Sequence, residues 1–502
     1  MMPMLKRLPF LLILQGLGAA AMFIPAIHAY RLDYLHTARC FLYSGVFFLV
    51  VFVLMAMALG GHGRTGTTRG QLTGLVGALV LLPAMLAVPF REALADTGLI
   101  APWFEMVSSL TTTGATLYPD GGTLPPSLHL WRAMVAWMGG LLFWVSALAV
   151  LAPLNLGGFE VIATDITAAG RAALRERRAG RPGERLRRYT ARLAPVYIGL
   201  TLTLWLGLVI TGTTPGTGAI LAMSTMSTSG ITPGGFQGTG FLSEVLIFAF
   251  LAFAISRLTF RRDNITRDRA NLYYDPEIRL AAVLLIAVPG FLFVRHFVGS
   301  IDAEGQRDIG AALTALWGAL FMTMSFLTTA GFESSFFEEA RFWSGLETPG
   351  LLLVGLSLIG GGVATTAGGV KLLRIFALYK HSEREMNRLV YPSSIGGSGV
   401  RGRRLRREGA FVAWIFFMLF AMTVAATMGA LSLAGIDFEN SVVLTIAALS
   451  NTGPLADVGA AQPVNYGDLS SPAHLILASV MVLGRLEALA LIALFNRDLW
   501  RS

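Results

Sequence analysis

The chain has 502 residues, of which 54% are hydrophobic and 14% charged, and it carries a formal net charge of +9. This composition is far more apolar than that of a globular protein, and the basic residues are spread between apolar segments, so we predict a membrane protein with no nucleic-acid partner. The single cysteine, Cys40, excludes an intramolecular disulfide and a cysteine-based metal site.

Long apolar segments follow one another along the whole chain. They lie at about 8–28, 40–60, 71–91, 129–152, 191–212, 241–257, 280–298, 348–375, 410–433 and 472–495. A helix needs about 20 residues to cross a hydrocarbon core of about 30 Å. No small-residue cleavage site follows the first segment, so we interpret it as a retained helix. The sequence therefore predicts an all-α polytopic membrane protein with ten transmembrane helices.

The basic residues fix the expected orientation. Arginines concentrate in alternate connections, notably 171–188 and 401–407, whereas 213–240 and 434–471 contain no Lys or Arg. By the positive-inside rule we expect an inner-membrane protein with both termini cytoplasmic. We expect these arginine-rich connections to contact anionic membrane lipid, or alternatively to form a docking surface for a partner protein.

Four shorter segments lie between the long ones, and each runs into a loop with Ser or Thr before a glycine. We name these loops L1 (Thr111–Thr116), L2 (Ser227–Thr232), L3 (Thr328–Phe332) and L4 (Ser450–Pro454). They recur roughly every 110 residues, which indicates a duplicated membrane unit. The expected divisions are two N-terminal helices in 1–70 and four units in 71–190, 191–279, 280–409 and 410–502.

The repeated unit predicts an ion filter. A helix of about 10–12 residues cannot span the bilayer, but it can enter halfway and return as extended chain that lines a water-filled cavity. Backbone carbonyls there can replace the hydration shell of an ion, and the negative helix C-termini favour a cation. Any one such glycine is more often a C-cap or packing glycine, but four on one side favour the filter. The expected ion-binding residues are Thr112, Thr113, Gly114, Thr228, Ser229, Gly230, Thr329, Ala330, Gly331, Asn451, Thr452 and Gly453.

Several motifs resemble the Trk/Ktr/HKT superfamily of potassium transporters, and most closely its bacterial TrkH type. They are Phe104-Glu105-Met106 before L1, Trp131-Arg132-Ala133-Met134 with Gly139-Gly140, Asp275-Pro276-Glu277, and Gly484-Arg485-Leu486-Glu487. The resemblance covers almost the whole chain. It implies potassium uptake without a covalent cofactor, a homodimer, and a cytoplasmic nucleotide-binding regulatory subunit of the TrkA type.

The sequence departs from the family pattern in two places. Ser229 stands in L2 where the family commonly has glycine, which bears on selectivity between K⁺ and Na⁺. Ala364 and Ala367 stand where the family usually has glycine, which bears on gating.

Two features are candidate gates. Segment 348–375 is interrupted by glycines, and each costs a helix about 1 kcal/mol, so we expect a break beneath the filter rather than close helix packing. The gate residues expected there are Gly360, Gly361, Gly362, Thr365, Thr366, Gly368 and Gly369. Arg485 lies mid-span in the last segment, where it is either a barrier to cations or half of a structural ion pair.

Two other functions remain open. A Na⁺- or H⁺-coupled symporter would need a midplane carboxylate, and Glu105 is the one acidic residue that the sequence places near a filter loop. A lipid-modifying enzyme would need clustered His, Asp or Glu. The seven histidines are scattered, so we predict a transporter and not an enzyme.

Overall fold

A computed structural model describes residues 8–59, 68–94, 98–119, 121–154, 156, 158–159, 182–234, 240–256, 275–299, 309–337, 350–390, 407–460 and 462–486. These residues form helices and connections, with no strand among them. The α-helices are Phe10–Ala21, Phe23–Arg31, Leu35–Leu59, Thr68–Ala93, Ile100–Leu110, Pro126–Ser146, Pro182–Ile210, Pro215–Ser227, Phe241–Leu251, Pro276–Gly299, Ile309–Leu327, Gly350–Ile359, Leu372–Val390, Arg407–Leu433, Phe438–Leu449, Leu455–Val458 and Ser471–Leu486.

Within these ranges, 7 helical stretches are long and apolar enough to cross a membrane. Three of the ten predicted spans are shorter here. Predicted span 241–257 is the helix Phe241–Leu251 with a 3₁₀ turn, 348–375 is interrupted after Ile359, and 472–495 is described as far as Leu486.

The long helices divide into peripheral and central ones. Only 11% of the apolar window in Leu35–Leu59 is buried, against 78% in the stretch Pro126–Leu154. Large apolar side chains face outward on the peripheral helices, with Ile210, Ile286 and Leu433 each more than 70% exposed. An apolar surface of this extent fits contact with lipid. The protein is therefore a multi-pass membrane protein with a buried centre.

Each short helix packs against long helices of its own unit. Ile100–Leu110 lies against Thr68–Ala93 and Pro126–Ser146, and Phe438–Leu449 lies against Arg407–Leu433 and Ser471–Leu486. Ile100–Leu110 also contacts Ser471–Leu486, so the first and last units meet.

Glycines in the following helix allow this close approach. A Cβ on Gly139 would overlap the Leu110 carbonyl oxygen, and one on Gly484 would overlap that of Leu449. The same contact thus occurs in the first and fourth units, and it explains two glycines of the motifs noted above.

The third of these helices is longer than expected. The short segment before L3 is the C-terminal part of a 19-residue helix, Ile309–Leu327. Helix-favouring residues such as Ala312 and Ala315 precede the segment, so the helix begins earlier.

Candidate functional site

The four loops begin with the same backbone turn. Just after each helix end, one loop residue adopts a left-handed conformation. In chain order these residues are Thr112 (φ +55°), Thr228 (φ +53°), Thr329 (φ +57°) and Asn451 (φ +55°). The amide of each donates to the carbonyl three residues back at 2.9, 3.1, 3.2 and 3.3 Å, in chain order. The next amide donates to the carbonyl five residues back at 2.8, 3.0, 2.9 and 2.8 Å. This pair of bonds is the Schellman motif that ends many helices.

The residue type in this turn is unusual. Glycine normally takes the left-handed position, and this chain uses it so in the same motif at Gly212 (φ +102°) and Gly435 (φ +91°). At the loops the position holds a β-branched threonine three times, which costs about 1–2 kcal/mol each. Strain retained at equivalent positions points to a role for the side chain or for the geometry it imposes.

Glycine follows two residues later in every loop. Gly114, Gly230 and Gly331 have φ of +77°, +65° and +75°. Gly453 does not share the positive φ, and it precedes Pro454, which restricts the backbone of the residue before it. Three of the four turns therefore need glycine for its conformation.

The first three loops are in contact through these glycines. A Cβ on Gly114 in L1 would overlap the carbonyl oxygen of Ser229 in L2. A Cβ on Gly230 in L2 would overlap the carbonyl oxygen of Ala330 in L3. No side chain could be added at either position without displacing the next loop.

The fourth loop closes the circle. A Cβ on Gly331 in L3 would lie 3.0 Å from Cγ and Cδ of Pro454 in L4. The amide of Gly453 in L4 donates to the Thr113 carbonyl of L1 at 2.6 Å. The amide group of Asn451 adds a bond to the Thr113 hydroxyl at 3.0 Å. L1 to L4 thus form a closed ring of contacts in chain order.

The ring is buried and lined with oxygen. The residues named from the sequence in L1 to L4 are buried, and none of them carries a charge. Among the described residues, Thr112 Oγ1 and Asn451 Oδ1 are buried without a hydrogen-bond partner in the protein. Buried oxygens without a donor suit a cation or ordered water as partner. The chemistry is that of oxygen ligation, with no group suited to acid–base catalysis in the ring itself.

A buried ion pair supports L1 from behind. Glu105 and Arg132 approach to 2.8 Å, and both are almost fully buried. The second oxygen of Glu105 accepts hydrogen bonds from the Leu117 amide at 2.6 Å and the Thr116 hydroxyl at 2.9 Å. Glu105 therefore holds the chain that leaves L1, and it does not face the ring as a free carboxylate.

A second carboxylate, which sequence reasoning missed, supports the chain after L3. Glu244 is fully buried and accepts hydrogen bonds from Trp317 Nε1 at 2.9 Å, the Ser334 hydroxyl at 2.8 Å and the Ser335 amide at 2.7 Å. Glu105 is thus not the only acidic residue near a loop, contrary to the sequence-based expectation. The available signal was an acidic residue in the first turn of the apolar helix Phe241–Leu251.

An aromatic cluster supports L4 instead. The Tyr466 hydroxyl donates to the Gly453 carbonyl at 3.0 Å, and His474 Nε2 donates to the Tyr466 carbonyl at 2.8 Å. Phe104 packs against both rings, with centroids 6.0 and 5.1 Å away. Phe104, the residue before Glu105 in the first motif, therefore packs against the aromatic cluster that supports L4.

The predicted break at the glycines is confirmed. One helix ends at Ile359 and the next begins at Leu372, and residues 360–368 between them are buried. Gly368 donates to Thr329 Oγ1 of L3 at 2.7 Å, and a Cβ on it would overlap the Ser450 carbonyl of L4. We call residues 360–371 the glycine-rich segment; it lies directly against L3 and L4.

Arg485 reaches the same segment. Its Nη1 donates to the Thr366 carbonyl at 2.7 Å, and its guanidinium lies 4.2 Å from the ring centre of Phe143. Arg485 is 2% exposed. Thr365 and Thr366 also line a small cavity with Thr228 of L2, Trp144 and Tyr197. The two predicted gate features are therefore in direct contact.

The departures from the family pattern have visible consequences. The Ser229 hydroxyl bonds with those of Ser224 and Ser227 at 3.1 and 3.0 Å, so it turns away from solvent within L2. Ala364 has φ +56°, a conformation that glycine adopts without strain. Ala367 is buried against Gly361, and its carbonyl accepts a hydrogen bond from the Lys371 ammonium.

An acidic side chain, Asp457, follows L4 in the chain. Asp457 is exposed and lies in the turn Leu455–Val458, where its amide donates to the Pro454 carbonyl at 3.1 Å. Residues three apart on a helix share a face, so Asp457 lies on the face of Pro454, which contacts Gly230 and Gly331. Burial raises the pKa of Asp457 to about 6.

Some predicted features lie outside the described residues. They are Arg-rich positions 171–181 and 401–406, the connection 257–274, and Glu487. Among the described residues, no three His, Cys, Asp or Glu side chains group as metal ligands.

Comparisons with known proteins agree with one another. Residues 246–501 match the family "TrkH: Cation transport protein". The "Trk system potassium uptake protein TrkH" of Salmonella typhimurium is 31% identical over 450 residues, covering 86% of this chain and 88% of that protein. The protein of the same name from Escherichia coli K12 is 29% identical, with coverage of 86% and 88%. A crystal structure titled as the potassium transporter TrkH from Vibrio parahaemolyticus superposes with a TM-score of 0.79, 24% identity and 99% coverage of both chains.

Proposed function

The chain belongs to the TrkH family of cation transport proteins, and on this premise we propose that it takes up potassium across the bacterial inner membrane through the ring formed by L1 to L4. It is a transport protein and not an enzyme. The transported ion is K⁺, in keeping with the printed names of its relatives as potassium uptake proteins.

The observation that carries this proposal is the closed ring of four equivalent turns. Each turn follows the C-terminal end of a helix, whose dipole favours a cation. Backbone carbonyls of the residues around Gly114, Gly230, Gly331 and Gly453 then replace the hydration shell of the ion. L3 and L4 both lie so close to Gly230 that a Cβ there would overlap each of them, so the filter tolerates no side chain at this position.

The glycine-rich segment and Arg485 form the gate in this proposal. The segment lies against L3 and L4, and the Arg485 guanidinium bonds to its Thr366 carbonyl. A positive charge held there repels a passing cation, and the glycines let the segment change conformation. The gate opens when the segment moves away from the path beneath the ring.

Flux measurements on purified protein in liposomes test the proposal. We expect ⁸⁶Rb⁺ uptake that K⁺ competes against and Na⁺ does not, with empty liposomes as the control. Uptake that equals the empty-liposome rate under every gradient would contradict the function. Uptake that requires an imposed Na⁺ or pH gradient would support a coupled symporter instead.

Orientation and assembly complete the proposal. The absence of Lys and Arg from sequence segments 213–240 and 434–471 supports an outward-facing ring with both termini cytoplasmic. We expect a homodimer bound on its cytoplasmic side by a nucleotide-binding subunit of the TrkA type. Accessibility labelling of single cysteines in a Cys40→Ser background tests the orientation, and light scattering tests the dimer.

A further inference from the structure

The N-terminal end of the helix Pro276–Gly299 contacts the glycine-rich segment through a buried carboxylate. Glu277 is 2% exposed, and its Oε1 accepts a hydrogen bond from the Val363 amide at 2.8 Å. This bond joins residues 86 positions apart. A hydrogen bond from a backbone amide to a buried carboxylate is charge-assisted and therefore strong, so Glu277 helps to fix the position of Val363.

Local capping holds Glu277 in place. Asp275 precedes the helix, and its Oδ1 accepts from the Glu277 amide at 3.1 Å. Pro276 occupies the first helical position, where its missing N–H costs nothing. The Asp-Pro-Glu sequence thus presents Glu277 in the first turn, where a negative charge is favoured.

The same acid joins the two ends of the connection 257–274. The Ser256 hydroxyl donates to Asp275 Oδ2 at 2.5 Å, so the residues on either side of that connection are bonded together. The chain just before Ser256 also touches the glycine-rich segment. Gly362 donates to the Ala254 carbonyl at 3.0 Å, and a Cβ on Gly362 would overlap the Ile255 carbonyl.

We propose that Ser256, Asp275 and Glu277 form a clamp that holds the glycine-rich segment at Val363. The gating part of this inference rests on the proposed function, since it requires the segment to obstruct an ion path. Glu277 acts here as a positioning residue, because it contacts the segment and not the ion.

Amide exchange tests the contact without any assumption about transport. In Glu277→Ala the Val363 amide loses its acceptor and should exchange faster. The Val370 amide, which donates to the Leu358 carbonyl at 3.0 Å within the same segment, should stay as protected as in the parent protein. Equal protection of Val363 in both proteins, or equal loss at Val363 and Val370, would overturn the clamp.

Measurements of ion flux test the functional consequence of the clamp. Loss of a charge-assisted hydrogen bond shifts a two-state equilibrium by about 10- to 100-fold, so Glu277→Ala should raise resting ⁸⁶Rb⁺ flux by about tenfold with an unchanged Rb⁺/Na⁺ ratio. Glu277→Gln keeps an acceptor oxygen and should remain closer to the parent. The matched control is Glu184→Ala, at an exposed glutamate in the first turn of Pro182–Ile210.

A further variant covers the case in which Glu277→Ala does not fold. Ser256→Ala removes one hydroxyl and leaves both carboxylates, and it should raise flux in the same direction by a smaller factor. Parent-like flux in folded Ser256→Ala, together with parent-like exchange of the Val363 amide in the same variant, would overturn the inference. If the parent protein carries no K⁺ at all, the proposed function fails, while the exchange measurement still decides whether the clamp exists.

Discussion

Replacing Thr112 by glycine isolates the strain stored in the ring. Thr112 ends the first short helix at φ +55°, is 1% exposed, and has a hydroxyl with no hydrogen-bond partner in the part of the protein that the structure describes. Glycine adopts this conformation freely. The substitution should therefore relieve the backbone while it removes the side chain from the ring.

The substitution Thr445→Gly is the matched control for the size of the strain at Thr112. Thr445 is equally buried, its hydroxyl is also without a hydrogen-bond partner among the described residues, and it lies inside the helix Phe438–Leu449. Both substitutions remove one methyl group and one hydroxyl, and both raise the conformational entropy of the unfolded chain. Only Thr112→Gly gains the relief of left-handed strain, about 1–2 kcal/mol. Thr112→Gly should therefore be less destabilising than Thr445→Gly by about that amount.

The assay measures stability and selectivity on the same preparations. Unfolding of purified protein in detergent gives the difference between the two variants, and ⁸⁶Rb⁺ and ²²Na⁺ fluxes give the selectivity. We expect Thr112→Gly to discriminate less between Rb⁺ and Na⁺ than the parent does. Equal destabilisation by both substitutions would refute the strain, and unchanged selectivity would refute its link to the ring.

Four more substitutions test separate parts of the account. Gly114→Ser should lower the Rb⁺/Na⁺ flux ratio, since its Cβ would overlap the Ser229 carbonyl; an unchanged ratio in folded protein would count against the filter. Arg485→Ala should raise ⁸⁶Rb⁺ flux by up to ~100-fold, the effect of removing a charge ~5 Å from the ion path at an effective dielectric of ~20. A lower melting temperature without faster flux would instead show that the arginine has a structural role. Ala364→Gly should raise the free energy of unfolding by about 1 kcal/mol through relief of φ +56°, and a loss of stability in a denaturation series would contradict this. Because burial raises the pKa of Asp457 to about 6, its charge is present at pH 7.5 and lost at pH 5. The half-saturating K⁺ concentration should then rise about twofold as external pH falls, and a similar rise in Asp457→Asn would show that another group titrates.

Local patterns in the sequence predict much of this protein. The four loops and the break after Ile359 follow from apolar length and glycine content alone. These features depend on residues near one another in the chain, so one segment is enough to reveal each. The family follows from short motifs, and the comparisons confirm it.

The carboxylates that hold the chain after L3 and the glycine-rich segment were harder to predict, because each of them bonds to a distant part of the chain. Glu244 reaches Ser335 across 91 positions, and Glu277 reaches Val363 across 86. An acidic residue in the first turn of an apolar helix has the same local pattern whether it caps its own helix or bonds to another unit. The start of the third short helix was also missed, since the alanines before it extend a helix whose C-terminal end alone carries the loop pattern.

Direct observation of bound ions tests the central claim, that L1 to L4 bind the transported cation. Tl⁺ has nearly the radius of K⁺ and scatters anomalously, so crystals of the full chain grown in Tl⁺ would reveal its position. We expect anomalous density inside the ring, within ligand distance of carbonyl oxygens from all four loops, and its loss when Na⁺ replaces Tl⁺. Well-ordered loops with no density in the ring, or density bound only at Asp457 or other surface carboxylates, would contradict the account.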